Sequence, residues 1–273
     1  MPELPDVETI KNELSPHVIG HQFIEVEIFQ ERAIQELSAQ EFSRRLIGQR
    51  IEDIGRRGKY MLFRLSGKET LIIHLRMTGV LLLEPSPQPY EHTTAIFRLD
   101  GGVNIHFIDQ RKLGWLWLVE DENTVIGKLG PEPLESSFTA GTLHNIVKKR
   151  NIPIKAVLLD QHAIAGVGNM YADEALFYAR IHPLRRANTL SDEEIELLHE
   201  GIVEVLKRGI RNQGATVDTY RLPNGQRGRA QTEFNVAHRR GESCYVCGSA
   251  IDWVKITGRG SCFCPVCQSN DTM

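Results

Sequence analysis

Residues 244–267 read CYVCGSAIDWVKITGRGSCFCPVC, and this stretch decides how the C-terminal end is built. Cys244-Tyr-Val-Cys247 and Cys264-Pro-Val-Cys267 are two CxxC pairs with sixteen residues between them. Each pair can present two thiolates to one ion, and two such knuckles complete a tetrahedral all-sulfur site. The ion that is redox-inert and content with four sulfurs is zinc, so Cys244, Cys247, Cys264 and Cys267 are expected to hold one Zn2+. Four protein ligands leave no open coordination position, which makes the expected role structural. Cys262 is left over, a bystander or a competing ligand. All the cysteines fall inside 244–267, so none remains for a disulfide framework, and the pattern points to a reducing, cytoplasmic compartment. Between the knuckles, WVKITGRG at 253–260 suits a hairpin. Arg259 near its tip either reaches a phosphate or stands in solvent.

Upstream of the knuckles the charge is uneven. Residues 205–267 carry ten Lys/Arg against four Asp/Glu, a net +6, which leaves −9 for the rest of a chain whose total is −3. A basic C-terminal third on an acidic body suits a polyanionic partner on one face, although uneven surface charge alone gives the same pattern. Hydrophobic residues make up 41% and charged residues 25%, ordinary values for a globular chain. No apolar run approaches the roughly 18 residues that a membrane helix needs, and the start MPELPDVETI lacks the apolar core of a signal peptide.

The chain pattern predicts an α+β multidomain protein. Val7, Ile10, Leu14 and Val18 form one apolar stripe of an N-terminal helix, with Pro5, Asp6 and Glu8 suiting its first turn. In TLIIHLRM, Leu71, Ile73, Leu75 and Met77 alternate with Ile72, His74 and Arg76, as in a strand. TAIFRLDGGVNIHFID reads as a hairpin turning at Asp100-Gly101-Gly102. Short strands without long helices between them suggest an antiparallel sandwich, interrupted by a short helix at 39–46. GKLGPEPLESS at 127–137 breaks both periodicities and marks a domain boundary. Helical patterns follow at 143–149, 154–160, 170–179 and 191–211, the last opened by a capping box of Ser191 and Glu194. Residues 221–231, RLPNGQRGRAQ, have no apolar period and read as a mobile loop. The expected division is 1–130 (helix plus β-sandwich, catalytic), 131–235 (helical) and 236–273 (zinc finger).

Pro2 follows an initiator Met, and Met removal before a small residue exposes a secondary amine. An α-amino group has a pKa of about 7.7–8.0, so part of it is unprotonated near neutrality. Such an amine can attack an aldehyde-like carbon to form an imine, and Glu3 beside it can serve as acid or base. Taken alone, a proline at position 2 carries no such meaning.

The wider context is a series of motifs in register. The start MPELPDVET resembles that of the formamidopyrimidine-DNA glycosylases. The resemblance continues through RRGKYML (56–62), HLRMTG (74–79), DQRKLGW (109–115), LGPEPL (129–134), IKAVLLDQ (154–161) and GVGNMYADEALF (166–177), and closes with the finger and its GRG at 258–260. It implies an N-terminal helix with a β-sandwich, a helix–two-turn–helix domain and a zinc finger. It implies a bifunctional enzyme that extrudes a damaged base, attacks C1′ through the N-terminal proline and cuts the strand by β,δ-elimination. Oxidised purines in double-stranded DNA, 8-oxoguanine and formamidopyrimidine, are the implied lesions, with abasic sites as the lyase substrate and a monomer as the acting unit.

By the same resemblance Pro2 is the nucleophile, Glu3 the carboxylate that helps open the sugar, and Lys59 a phosphate-holding lysine at the lesion. Met77, Arg111 and Leu113 match the three residues that fill the hole left by the flipped base. Periodicity alone would have put Met77 and Leu113 in the core. Asn169 and Arg259 match phosphate grips, Lys155 a lysine near the damaged base, and His74 and His92 backbone contacts. Four features depart from the family pattern. Asp6 stands for a glutamate and Leu113 for a phenylalanine, 221–231 carries Arg221, Arg227 and Arg229 in an unfamiliar sequence, and Asn235 and Ala237 stand where aromatics are common. The alternatives are the same chemistry on other lesions, such as oxidised pyrimidines or hydantoins, and a non-catalytic binder of damaged DNA.

Overall fold

A computed structural model describes residues 1–86 and 88–269. The chain divides into two compact units, Met1–Lys128 with Asn212–Arg229, and Leu129–Arg211 with Ala230–Met273. The boundary expected at 127–137 falls at 128/129. The sequence division is redrawn in one respect, because 212–229 belongs to the first unit and not to a helical domain running unbroken to 235. The last four residues of the expected finger range lie outside the described residues.

The first unit opens with α1 (Leu4–Val18) and β1 (Phe23–Ile28), then α2 (Ala39–Leu46). The strands β2 (Ile51–Arg57), β3 (Tyr60–Leu65), β4 (Thr70–His74), β5 (Gly79–Glu84), β6 (Thr93–Leu99), β7 (Asn104–Asp109) and β8 (Trp115–Val119) follow, and α3 (Asn123–Ile126) closes the segment. The strands form two four-stranded antiparallel sheets, in the orders β1-β6-β7-β5 and β2-β3-β4-β8. Their inner faces and the stripe Val7, Ile10, Leu14 and Val18 share one hydrophobic cluster, which also takes Tyr220 and Leu222. Each helix residue of that stripe is at most 1% exposed. Burial on that scale stabilises by roughly 1.5–3 kcal/mol per side chain.

The hairpin turns where the Asp-Gly-Gly sequence demands, with Gly101 and Gly102 both at positive φ. The strand expected across 71–77 ends at His74, and all five residues of β4 are buried, so it lies inside a sheet covered on both faces instead of alternating. Beyond it Arg76 turns into the left-handed region at φ 53°, which ends the pleat before Met77.

The second unit holds α4 (Ala140–Val147), α5 (Ile154–Leu159), α6 (Asn169–Tyr178) and α7 (Asp192–Arg211), with the hairpin β9 (Asp252–Ile256) and β10 (Arg259–Phe263). Before α7 the capping box is formed: the Ser191 amide donates to Glu194 Oε2 at 2.7 Å and the Glu194 amide to Ser191 Oγ at 3.2 Å. Among the described residues no helix is long and apolar enough to cross a membrane.

Candidate active site and nucleic-acid interface

Pro2 and Glu3 lie buried directly before α1, Glu3 being its N-cap. Asp6, in the first turn, is fully buried. Its Oδ2 accepts the Glu3 amide at 2.7 Å and its Oδ1 accepts the Ala215 amide at 2.8 Å. Burial pushes the Asp6 carboxyl up to about 7, against the two amides that favour its charged form. Gly214 is required beside it, for φ is +75° and a Cβ there would meet Asp6 Oδ1 at 2.5 Å. The segment 212–229 is therefore anchored to the N-terminal residues of its own unit. Its arginines are also turned to backbone: Arg221 donates to the Asp218 and Tyr220 carbonyls and Arg227 to the Thr216 carbonyl. Leu83 donates its amide to the Pro223 carbonyl, and Leu222 is 1% exposed. The loop expected from 221 onward is thus tied down along its length.

Lys59 sits in the tight turn between β2 and β3 and is buried. His74, at the end of β4, is buried against Tyr60, with ring centroids 4.5 Å apart. Burial, then the nearby Arg76 and Lys59 cations, push its imidazole down to about 3. The ring is therefore neutral. Its Nδ1 accepts the Arg76 amide at 3.1 Å, which leaves the proton on Nε2.

Met77 and Leu113 are both 41% exposed, and Arg111 is exposed. Neither apolar residue joins the core that periodicity alone would have given it. The two loops that carry them meet at Asp109, a fully buried carboxylate that takes four donors. Oδ1 accepts the Thr78 hydroxyl at 2.5 Å and the Arg111 amide at 3.2 Å, and Oδ2 accepts the Leu113 and Gly114 amides at 2.7 and 2.6 Å. The Asp109 amide donates to the carbonyl of His92, itself at φ 65°.

In the second unit, α6 begins after Gly166 (φ 82°) and Gly168, its N-cap. Gln161 fixes this turn: its Oε1 accepts the Gly166 amide and its Nε2 donates to the Val167 carbonyl. Asn169 Nδ2 donates to the Gly260 carbonyl at 3.0 Å, which sets the helix start against the hairpin that bears Arg259. The Asn169 Oδ1 is buried without a partner among the described residues. A cleft of about 420 Å³ opens there, walled by Asn169, His238, Arg240, Trp253 and Gly260. The helix N-terminus and Arg240 suit an anion, with Asp173 also in the wall.

The hairpin turns at Thr257 and Gly258, both at positive φ, as a tight two-residue turn requires. Cys244, Cys247, Cys264 and Cys267 place their sulfurs within 4.8 Å of one another, with Cys247–Cys264 at 3.4 Å and Cys244–Cys267 at 3.9 Å. Four sulfurs at about 2.3 Å from one ion would stand about 3.8 Å apart, so the cage fits a tetrahedral metal. The Val246 and Cys267 amides point at Cys244 and Cys264 sulfurs, as in a ligand knuckle. Cys262 lies outside the cage. Its amide donates to Asp173 Oδ2 at 3.1 Å.

Lys155 is where the structure departs from the expectation of DNA contact. It is 0% exposed and ion-paired with Asp173, itself 2% exposed. Burial pushes the Asp173 carboxyl up to about 7, with the Lys155 ammonium opposing. A lysine enclosed in this way joins α5, α6 and the finger hairpin. Asp109, Thr78, Asp173 and Glu174 are the residues that local pattern does not single out, although all four lie inside the motifs 74–79, 109–115 and 166–177.

Residues 1–116 match the family model "Formamidopyrimidine-DNA glycosylase N-terminal domain" and residues 129–221 match "Formamidopyrimidine-DNA glycosylase H2TH domain". A formamidopyrimidine-DNA glycosylase of Desulfitobacterium hafniense is 43% identical, over 98% of this chain and 100% of its own length. The MutM (Fpg) crystal structure from Thermus thermophilus superposes with a TM-score of 0.89 at 39% identity, covering 98% of each chain. A Lactococcus lactis Fpg variant, crystallised with DNA containing Fapy-dG, gives 0.92 at 36% identity, over 98% of this chain and all of its own.

Proposed function

The chain belongs to the formamidopyrimidine-DNA glycosylase family and is a base-excision DNA glycosylase. From that premise we propose that it is bifunctional, removing oxidised purines through a Pro2 imine and then cleaving the strand as a lyase. On this reading Met1 is removed and the free Pro2 amine attacks C1′ of the extruded nucleotide. The base departs, an iminium remains, and β- then δ-elimination release the sugar fragment. Glu3 protonates the ring oxygen as the sugar opens, and Lys59 and the Nε2–H of neutral His74 hold the flanking phosphates. The observation that carries this reading is the fixed N-terminal segment. Pro2 and Glu3 are buried, and the Glu3 amide is held by a carboxylate whose other oxygen holds Ala215.

Met77, Arg111 and Leu113 fill the vacated stack, a role their exposure supports. His92 and the Asn169 turn grip phosphate, as does Arg259. The cage fits zinc, whose four thiolate ligands would stabilise the finger and leave it no part in the chemistry. DNA as substrate and the bacterial relatives fit a monomer working in the bacterial cytoplasm.

Borohydride treatment with abasic-site DNA tests the mechanism. A covalent adduct is expected from the wild type and a much lower yield from Pro2→Gly, whose primary amine replaces the secondary one. An unchanged yield in that variant overturns the role of Pro2. Leu113 in place of an aromatic, and the distinct 221–231 loop, favour a second reading in which the same chemistry serves other lesions. Excision from single-lesion duplexes containing 8-oxoguanine, formamidopyrimidine, an oxidised pyrimidine or a hydantoin decides between the two.

A further inference from the structure

We infer that Asp109 is the positioning residue for the gap-filling trio, setting opposite-base discrimination without touching DNA. The inference rests on the role proposed above for Met77, Arg111 and Leu113. Those three side chains come from two loops that have no regular secondary structure to hold them. What holds them is one side chain. Asp109 has no exposed surface, yet four donors from both loops converge on its two oxygens. The Thr78 hydroxyl donates to Asp109 and in turn accepts the Arg111 amide at 3.1 Å, so the residue after Met77 is locked to the residue that would face the orphaned base.

The surroundings leave the network no slack. Gly79 pairs with Asp109 across β5 and β7, and a Cβ on Gly79 would meet the Leu75 carbonyl at 2.4 Å. A Cβ on Gly114 would meet the Phe107 ring at 2.3 Å and Asp109 Oδ2 at 3.2 Å. Lys112, between Arg111 and Leu113, is at φ 54°. Four donors suit an acceptor-only group, and an amide cannot replace it without turning an NH2 group toward one pair of them. Misplacement of about 1 Å can cost on the order of 100-fold in a positioned reaction, so a change here is felt at the trio.

The test uses the full chain with Asp109→Asn and, as a milder change of similar shape, Thr78→Val. Affinity is measured for duplexes carrying a tetrahydrofuran abasic analogue opposite each of the four bases, a readout that involves no chemistry at Pro2. Borohydride trapping on a single-stranded abasic oligonucleotide, which has no opposite base, is measured alongside. Asp109→Asn is expected to flatten the ranking of the four opposite bases by about tenfold, and Thr78→Val to flatten it less. Trapping on the single strand should stay near the wild-type level in both. A wild type without preference, or a ranking unchanged in Asp109→Asn, overturns the inference. So does an equal loss of single-strand trapping, which would make Asp109 a general structural residue. Failure of the wild type to trap at all counts instead against the Pro2 mechanism.

Discussion

Asp6 and Ala215, 209 positions apart, are joined by a 2.8 Å hydrogen bond from the Ala215 amide to the Asp6 carboxylate. The same carboxylate holds the amide of Glu3. One buried side chain therefore ties the residue beside the proposed nucleophile to the segment 212–229 of the same unit.

That carboxyl should leave a mark on the pH dependence of stability. Its pKa is raised from 3.8 to about 7 on folding, so the folded state binds more protons than the unfolded state between those values. Stability then falls as pH rises through that window, because an ionised carboxylate must be kept buried. Asp6→Asn cannot ionise, but it turns an NH2 group toward one of the two amides and loses about 1–3 kcal/mol. The wild type's advantage over Asp6→Asn in urea midpoint is expected to be largest near pH 5 and to shrink toward pH 8. An advantage that grows with pH contradicts the assignment.

The Lys155–Asp173 pair should behave as a buried ion pair and not as a DNA contact. Removing one partner leaves an uncompensated charge, worth about 3–5 kcal/mol, whereas replacing both by apolar groups costs much less. Lys155→Met and Asp173→Leu are each expected to be strongly destabilising, and the double variant milder than their sum. A double-mutant cycle by denaturant titration reads the coupling, and additivity would dismiss it.

Salt dependence should locate the phosphate grips. The affinity for duplex DNA is expected to fall linearly on logarithmic axes with salt, and Arg259→Ala should reduce that slope by about 1 while weakening all sequences alike. An unchanged slope would leave Arg259, which is exposed on its hairpin, a solvated arginine.

Much of this was legible from local pattern. The stripe of α1, the limits of α2, the Asp-Gly-Gly hairpin and the Ser191 cap all follow from neighbours a few residues apart. Two CxxC pairs were enough to assemble the cage. What local pattern missed depends on partners far away in sequence. Met77 and Leu113 look like core by composition, but the left-handed turn at Arg76 and the pull of Asp109 set them in solvent. The burial of Lys155 depends on Asp173, eighteen residues away, and no local pattern announces that pair. Residues 221–231 have no apolar period, and the order at Pro223 and Gly228 comes from Leu83 and Thr216.

Removing the metal should weaken DNA binding and spare the Pro2 chemistry. Elemental analysis is expected to find one zinc per chain. Chelation should lower duplex affinity about tenfold or more, the effect of losing about 1.4 kcal/mol of contacts. Trapping on single-stranded abasic DNA should survive. A metal-stripped, folded protein that binds duplex as tightly as before contradicts this.

Glu174 limits how far such a loss can spread. It is 1% exposed, accepts the consecutive amides of Asn235, Val236 and Ala237, and takes a further hydrogen bond from the Asn235 side chain. Arg208 lies 3.6 Å from it to balance the charge. At the other end Gln268 donates to the Ile181 carbonyl. The finger is thus sewn to the helical body at both ends, and at Gly260 and Cys262 between them, by bonds that owe nothing to metal ligation. An emptied cage would loosen the knuckles between those stitches and stop at them, leaving the hairpin strand still tethered to the helical body.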